Sequence, residues 1–372
     1  GTWSSSNLSV ANINPTTGLV TAGVAGSTII TYTVTNSNGC TNSVTMILNV
    51  NALPTATVTA GGSTTICDGT SVSLSANAGT GYTYQWSNGS ADQTISVSAS
   101  GSYTVTVTDL NGCSTTSAAT AVTVTPLPTV ASITGNTGVC VGSTTTMSSA
   151  TTGGVWTSSN TGVATISTGG VVTGVTAGTT TITYTVTVGG CTNTATTTVT
   201  VNSLPTATIA AASATTFCDG GSVTLMGPSA PAGMTYTYVW NLNGTAITGA
   251  TGNTYIAAAS GSYTVTVTNN NGCSATSAAT VVTENPLPTV AAITGTTSVC
   301  VGSGTTLANA TTGGTWSSSN TATATVNAST GVVTGVNAGT VTITYTVTDA
   351  NGCIASQAIA INSGSQIDCL FY

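Results

Sequence analysis

Wherever the chain is not turning, apolar and polar positions alternate with a period of two. Tyr103-Thr-Val-Thr-Val-Thr108 puts Tyr103, Val105 and Val107 on one face and threonines on the other. The run recurs at Tyr263–Thr268 and, as Ile-Thr-Tyr-Thr-Val-Thr, at 182–187 and 343–348. Such alternation predicts half-buried strands. Asn-Gly stands just before a cysteine at 38–39, 111–112, 271–272 and 351–352, and Gly189-Gly190 takes that place in one more copy. These residues tolerate positive φ, so each pair predicts a hairpin turn. No stretch of useful length has helical periodicity.

The strands belong to two kinds of repeat that alternate along the chain. The first kind carries Val-Cys-Val-Gly-Ser (139–143, 299–303), Trp-x-Ser-Ser-Asn (3–7, 156–160, 316–320) and Gly-Val-Val-Thr-Gly-Val (170–175, 331–336). The second carries Cys-Asp-Gly (67–69, 218–220), Tyr-x-Trp (84–86, 238–240) and Gly-Ser-Tyr-Thr-Val-Thr-Val-Thr (101–108, 261–268). Leu-Pro-Thr recurs at 53–55, 127–129, 204–206 and 287–289 as a short, semi-rigid linker. The expected modules are 1–50, 51–125, 126–202, 203–285 and 286–362, followed by a tail at 363–372. Module 1–50 opens at the tryptophan motif, so it is read as truncated at its front. Modules of this size, with many short strands and one Trp each, predict an all-β tandem array of immunoglobulin-like sandwiches.

The first kind of module resembles bacterial immunoglobulin-like domains of group 2 through its Trp-Ser-Ser-Ser-Asn and Gly-Val-Val-Thr-Gly-Val motifs. The second is similar to immunoglobulin-like repeats of giant surface adhesins exported by type 9 secretion in Bacteroidota. The resemblance implies a cell-surface stalk or adhesin and names no ligand.

Composition narrows the function. The 372 residues include no Lys, Arg or His and only seven acids. Nucleic-acid binding needs cations to neutralise phosphate, so it is excluded, and an anionic membrane surface is a poor partner. No apolar run approaches the ~20 residues of a membrane-spanning helix. Without His or Lys there is no Ser–His or Cys–His pair and no Schiff base. Asp68, Asp92, Asp109, Asp219, Glu284, Asp349 and Asp368 are scattered. Asp109 and Asp349 precede hairpin turns, where Asn36 and Asn269 stand in other copies, so a turn role is expected. No enzyme activity, cofactor or metal is expected. Trp3, Trp86, Trp156, Trp240 and Trp316, one per module, are read as sandwich cores, and Tyr103, Tyr184, Tyr263 and Tyr345 as packing or corner tyrosines.

Ten cysteines in regular positions argue for an oxidising, extracellular setting. Each complete module has one early and one late cysteine. The expected pairs are Cys67–Cys113, Cys140–Cys191, Cys218–Cys273 and Cys300–Cys353. Bridges between neighbouring modules are the other connectivity, disfavoured here on the expectation that linkers hold those thiols apart. Cys40 is left without an early partner. In the tail, Ile367, Cys369 and Phe371 alternate with Asp368, Leu370 and Tyr372 as a strand would. The leading expectation is a structural subunit of an extracellular filament or cell-surface stalk. The tail of one copy would enter the incomplete first module of the next, with Cys369 bonded to Cys40. Alternatively the chain is excerpted from a giant surface adhesin whose loops bind a ligand or surface glycans. The segment Met226–Thr237, longer and more apolar than its counterpart at 75–83, is the clearest break in the repeat.

Overall fold

The computed structural model describes residues 1–365, and those residues form strands joined by turns. The long hairpins form where alternation is strictest. Gly26–Thr35 pairs with Thr41–Val50, Gly178–Val188 with Cys191–Asn202, and Gly339–Thr348 with Ile354–Gly364, all antiparallel. Their tight turns place Gly39 at φ +77° and Gly352 at φ +82°, in the left-handed region that glycine adopts without strain. The last of these strands reaches Gly364, so Ser363 and Gly364, assigned above to the tail, belong to the sheet.

Two sheets pack face to face around 290–364. One has the order Ser298–Cys300, Ile354–Gly364, Gly339–Thr348, Thr315–Ser318. The other runs Thr294–Gly295, Gly304–Ala308, Val332–Gly335, Ala324–Val326. Inward residues of both meet in one apolar core around Leu307, Val333, Ile343 and Ile361. Separate cores form around Leu74, Trp86 and Val105, around Met147, Ile182 and Val199, and around Leu225, Trp240 and Val265. Each core draws on one continuous stretch of chain. The architecture is all-β, a tandem array of sandwiches.

Trp86, Trp156, Trp240 and Trp316 lie at or beside these cores. Trp86 and Trp240 are buried and donate their indole N–H to Asp92 O and Gly252 O. Trp3, Trp156 and Trp316 each stack against a tyrosine, Tyr32, Tyr184 and Tyr345, with ring centroids 4.4–4.6 Å apart. Tyr103 and Tyr263 donate to the carbonyl four residues upstream, Ala99 and Ala259, the geometry of a tyrosine corner. Tyr184 and Tyr345 tie Thr151 to Gly154 and Thr311 to Gly314.

The acids in hairpin turns have the expected structural task. Asp109 Oδ1 accepts N–H bonds from Asn111 and Cys113, and Asp349 Oδ1 accepts them from Asn351 and Cys353. Asn36 and Asn269 accept the same two bonds in their own turns. A side-chain carbonyl suffices, so charge is not required there.

Candidate functional site

One pattern places the early cysteine. In each of four modules a short early strand runs parallel to the end of that module's last strand. Cys67 lies opposite Thr125, Cys140 opposite Asn202, Cys218 opposite Asn285 and Cys300 opposite Gly364. The same two backbone bonds recur. The last strand donates to the residue three before the cysteine, and the residue after the cysteine donates back. They are Thr123 N–H to Thr64 O and Asp68 N–H to Thr125 O in one module, Thr200 to Thr137 and Val141 to Asn202 in the next. Thr283 to Thr215 with Asp219 to Asn285, and Asn362 to Thr297 with Val301 to Gly364, complete the set.

The late cysteine sits at the opposite pole. Cys191 begins the strand that ends at Asn202, opposite Cys140. At ~3.3 Å per residue the two ends of that strand are ~36 Å apart, whereas a disulfide needs Cα atoms within about 7 Å. The expected pairs within a module are therefore corrected. The bridges join the early cysteine of one module to the late cysteine of the next: Cys67–Cys191, Cys140–Cys273 and Cys218–Cys353, with Cα–Cα separations of 5.5–5.6 Å. Cys300 is also disulfide-bonded. The linkers, expected to hold these thiols apart, bring successive poles together. Asn193 Nδ2 donates to Pro128 O at 3.0 Å and Asn269 Nδ2 to Ser203 O at 3.1 Å, tying hairpin turns back onto the linkers.

Each bridge closes a sequence separation of 124–135 residues. On the chain-entropy account such a closure restricts the unfolded array by about 5 kcal/mol. The larger consequence is mechanical, since two consecutive modules are covalently clamped across every such joint.

Two thiols stand outside the ladder. Cys113, expected to bond Cys67, is free and half-buried, whereas its counterparts Cys191, Cys273 and Cys353 are bonded and buried. Cys40 is free and exposed, at the rim of a shallow depression of about 360 Å³ lined by Tyr32, Val34, Asn36 and Thr41–Val44. Ile367, Cys369 and Phe371 lie outside the described residues.

The first module ends in a three-stranded sheet whose last strand, Thr41–Val50, pairs among the described residues with Gly26–Thr35 alone. Val20 is 38% and Val34 47% exposed, while their repeat counterparts Val333 and Val347 are 0% and 8% exposed. Val44, Met46 and Ile47 on the last strand are also open to solvent. Sequence reasoning missed the ladder because it counted cysteines per module without following which pole each strand reaches.

Among the described residues no three metal-ligating side chains come together, and no helix is long and apolar enough to cross a membrane. In the segment that breaks the repeat, Tyr238 Oη donates to Pro228 O at 2.7 Å and Gly227 N–H to Asn253 O, so its base is tied to the sandwich.

Residues 286–354 match the family of bacterial Ig-like domains, group 2. No curated protein matches the sequence. Among solved structures, the chain is similar to a Ca2+-stabilized adhesin that helps an Antarctic bacterium reach out and bind ice, with 16% identity, 85% of this chain and 100% of that one covered, and a TM-score of 0.32. It is similar to invasin, a bacterial integrin-binding protein, with 16% identity, 83% and 79% covered, and a TM-score of 0.28. The N-terminal eight Ig domains of Down Syndrome Cell Adhesion Molecule align over 98% of this chain at 14% identity and a TM-score of 0.29, and the chain spans 56% of their length.

Proposed function

We propose that the chain is a load-bearing segment of an extracellular surface array, a stalk or filament of immunoglobulin-like modules. The disulfide ladder carries this reading. A bridge inside a module would protect that module, whereas bridges across the joints make the row of modules one covalent strut. Oxidised joints suit an extracytoplasmic setting. The chain has no Lys or Arg for trypsin-like proteases to cut after, which suits exposure. Export by type 9 secretion, as in the adhesins its second kind of module resembles, belongs to the same reading.

The subunits join head to tail, the tail of one copy docking on the first module of the next at the depression beside Cys40. The Cys369–Cys40 bond expected from the sequence is not part of this joint, because Cys300 is itself disulfide-bonded and every other described cysteine is bridged elsewhere or free. Supporting the docking are the apolar residues left open around the depression. Such a contact does not close on itself and therefore builds a filament. Native gel electrophoresis of the full chain and of a chain lacking residues 366–372 tests it. A ladder of subunit multiples that is lost on removal of the tail supports the joint. A lone monomer band from the full chain rules it out.

The second reading is an adhesin segment. Met226–Thr237, held at its base by Tyr238 and carrying half-buried Met234, is the feature that favours it. Glycan-array binding by the chain, lost when this segment is shortened to the length of 75–83, would establish it.

A further inference from the structure

The bridges across the joints are not equally open to attack. In each, the late cysteine is the hidden one: Cys191, Cys273 and Cys353 are buried, while Cys67, Cys140 and Cys218 are half-buried. Thiol–disulfide exchange starts at the sulfur that can be reached, and the other sulfur leaves. Cys67 is followed by Asp68 and Cys218 by Asp219, whose carboxylates repel an incoming thiolate. Cys140 is followed by Val141.

Cys140 also has a place for the attacking group. It lines a depression of about 350 Å³ where the third module meets the fourth. Asn136, Ser143, Thr144 and Asn202 of the third module and Asn271 of the fourth share the lining, which carries no charge. Among the described residues, the Ser143 and Thr144 hydroxyls and the Asn202 and Asn271 carboxamides bond no protein group. Asn136 accepts the Gly138 N–H through Oδ1 and leaves its Nδ2 uncommitted. A carboxamide donates and accepts at once, which suits it to a peptide bond.

We propose that this depression is a binding and modification site for a small peptide thiol, of the kind glutathione represents, and that Cys140 Sγ is the atom it attacks. The amides hold the peptide bonds of the thiol while its thiolate bonds Cys140. The Cys140–Cys273 bond breaks, and Cys273 leaves as a thiolate that takes up the proton the incoming thiol gave to water. One disulfide is exchanged for another, so no oxidant or further reductant is needed. Cys273 Sγ lies 4.0 Å from Asn202 O, so the new thiol has an acceptor in place. Asn269 Nδ2 keeps its bond to Ser203 O, which holds the turn by the linker and lets the bridge re-form when the peptide thiol departs. Cys67–Cys191 and Cys218–Cys353 clamp the joints on either side. The modification therefore frees the joint between the third and fourth modules to bend while its neighbours stay locked. This thiol-operated hinge rests on neither the head-to-tail contact nor the adhesin reading.

The test adds reduced glutathione, without oxygen, to the unreduced full chain and stops the reaction by alkylating free thiols. Mixed disulfides are then mapped by mass spectrometry. Mercaptoethanol, a thiol without amides, is run in parallel. The expected result is glutathione on Cys140 and an alkylated Cys273, formed about fivefold faster than adducts on Cys67 or Cys218. Asn271→Ala should slow glutathione at Cys140 about threefold and leave mercaptoethanol unchanged. Thr144→Asp should slow glutathione, which carries net negative charge, more than neutral mercaptoethanol. Glutathione on Cys273, equal rates at the three bridges, or a Cys140–Cys273 bridge that glutathione leaves intact overturns the inference. So does an Asn271→Ala chain that loses no preference for glutathione over mercaptoethanol.

Discussion

Pulling the chain from its two ends separates the possible disulfide maps by length alone. Once every module has unfolded under force, the extension is set by the shortest covalent path between the ends. With the observed bridges that path runs through residues 1–67, jumps to 191–218 and jumps again to 353–372. It contains ~110 peptide units, or ~390 Å at 3.3–3.6 Å per residue. The Cys140–Cys273 bridge lies off this path and does not change it. Pairs confined to single modules would instead leave ~165 units in the path, ~570 Å, and a fully reduced chain ~1,280 Å. The assay is single-molecule force spectroscopy with and without dithiothreitol, attached at Gly1 and Tyr372. A limiting length near 390 Å that rises more than threefold on reduction is the expected outcome. A limit near 570 Å without reductant would refute the geometry from which the ladder was argued. Below that limit, force on the oxidised array bypasses most of the four modules between 51 and 362, which is how a strut resists extension.

Other consequences concern single residues. Ser277 Oγ accepts the N–H of fully buried Val265 at 3.0 Å; Ser277→Ala orphans that donor and should cost about 1–3 kcal/mol, read as a lowered calorimetric transition for the fourth module. Ser363 is 1% exposed and its hydroxyl has no partner, while the repeat places Val201 at the same position. Ser363→Val should therefore stabilise the fifth module by about 1 kcal/mol, seen as a raised transition temperature. Burial raises the Tyr263 phenol above its ordinary value, with a smaller contribution from Tyr255. The unfolded chain then loses that proton first. Stability should fall as pH climbs through and beyond about 10, and Tyr263→Phe should flatten part of that fall in denaturant titrations at pH 9–11.

Much of the fold is legible because alternation and turn chemistry are local. The Asn-Gly hairpins, the core tryptophans and the Asn/Asp exchange before the late cysteine all follow from a few adjacent residues. The disulfide partners are not local. Spacing in sequence brings Cys140 and Cys191 near each other, while a twelve-residue strand holds them at opposite poles. Following the strand directions through one repeat would have put Cys140 beside the next linker. The assumption that a proline linker separates neighbouring thiols hid that step.

The most direct test of the account is a disulfide map of the unreduced chain. Free thiols are alkylated, the chain is cut at aromatic residues, and linked fragments are identified by mass spectrometry. The account predicts Cys67 linked to Cys191, Cys140 to Cys273 and Cys218 to Cys353, with alkylated Cys40 and Cys113. A fragment linking Cys67 to Cys113, or Cys140 to Cys191, would contradict it.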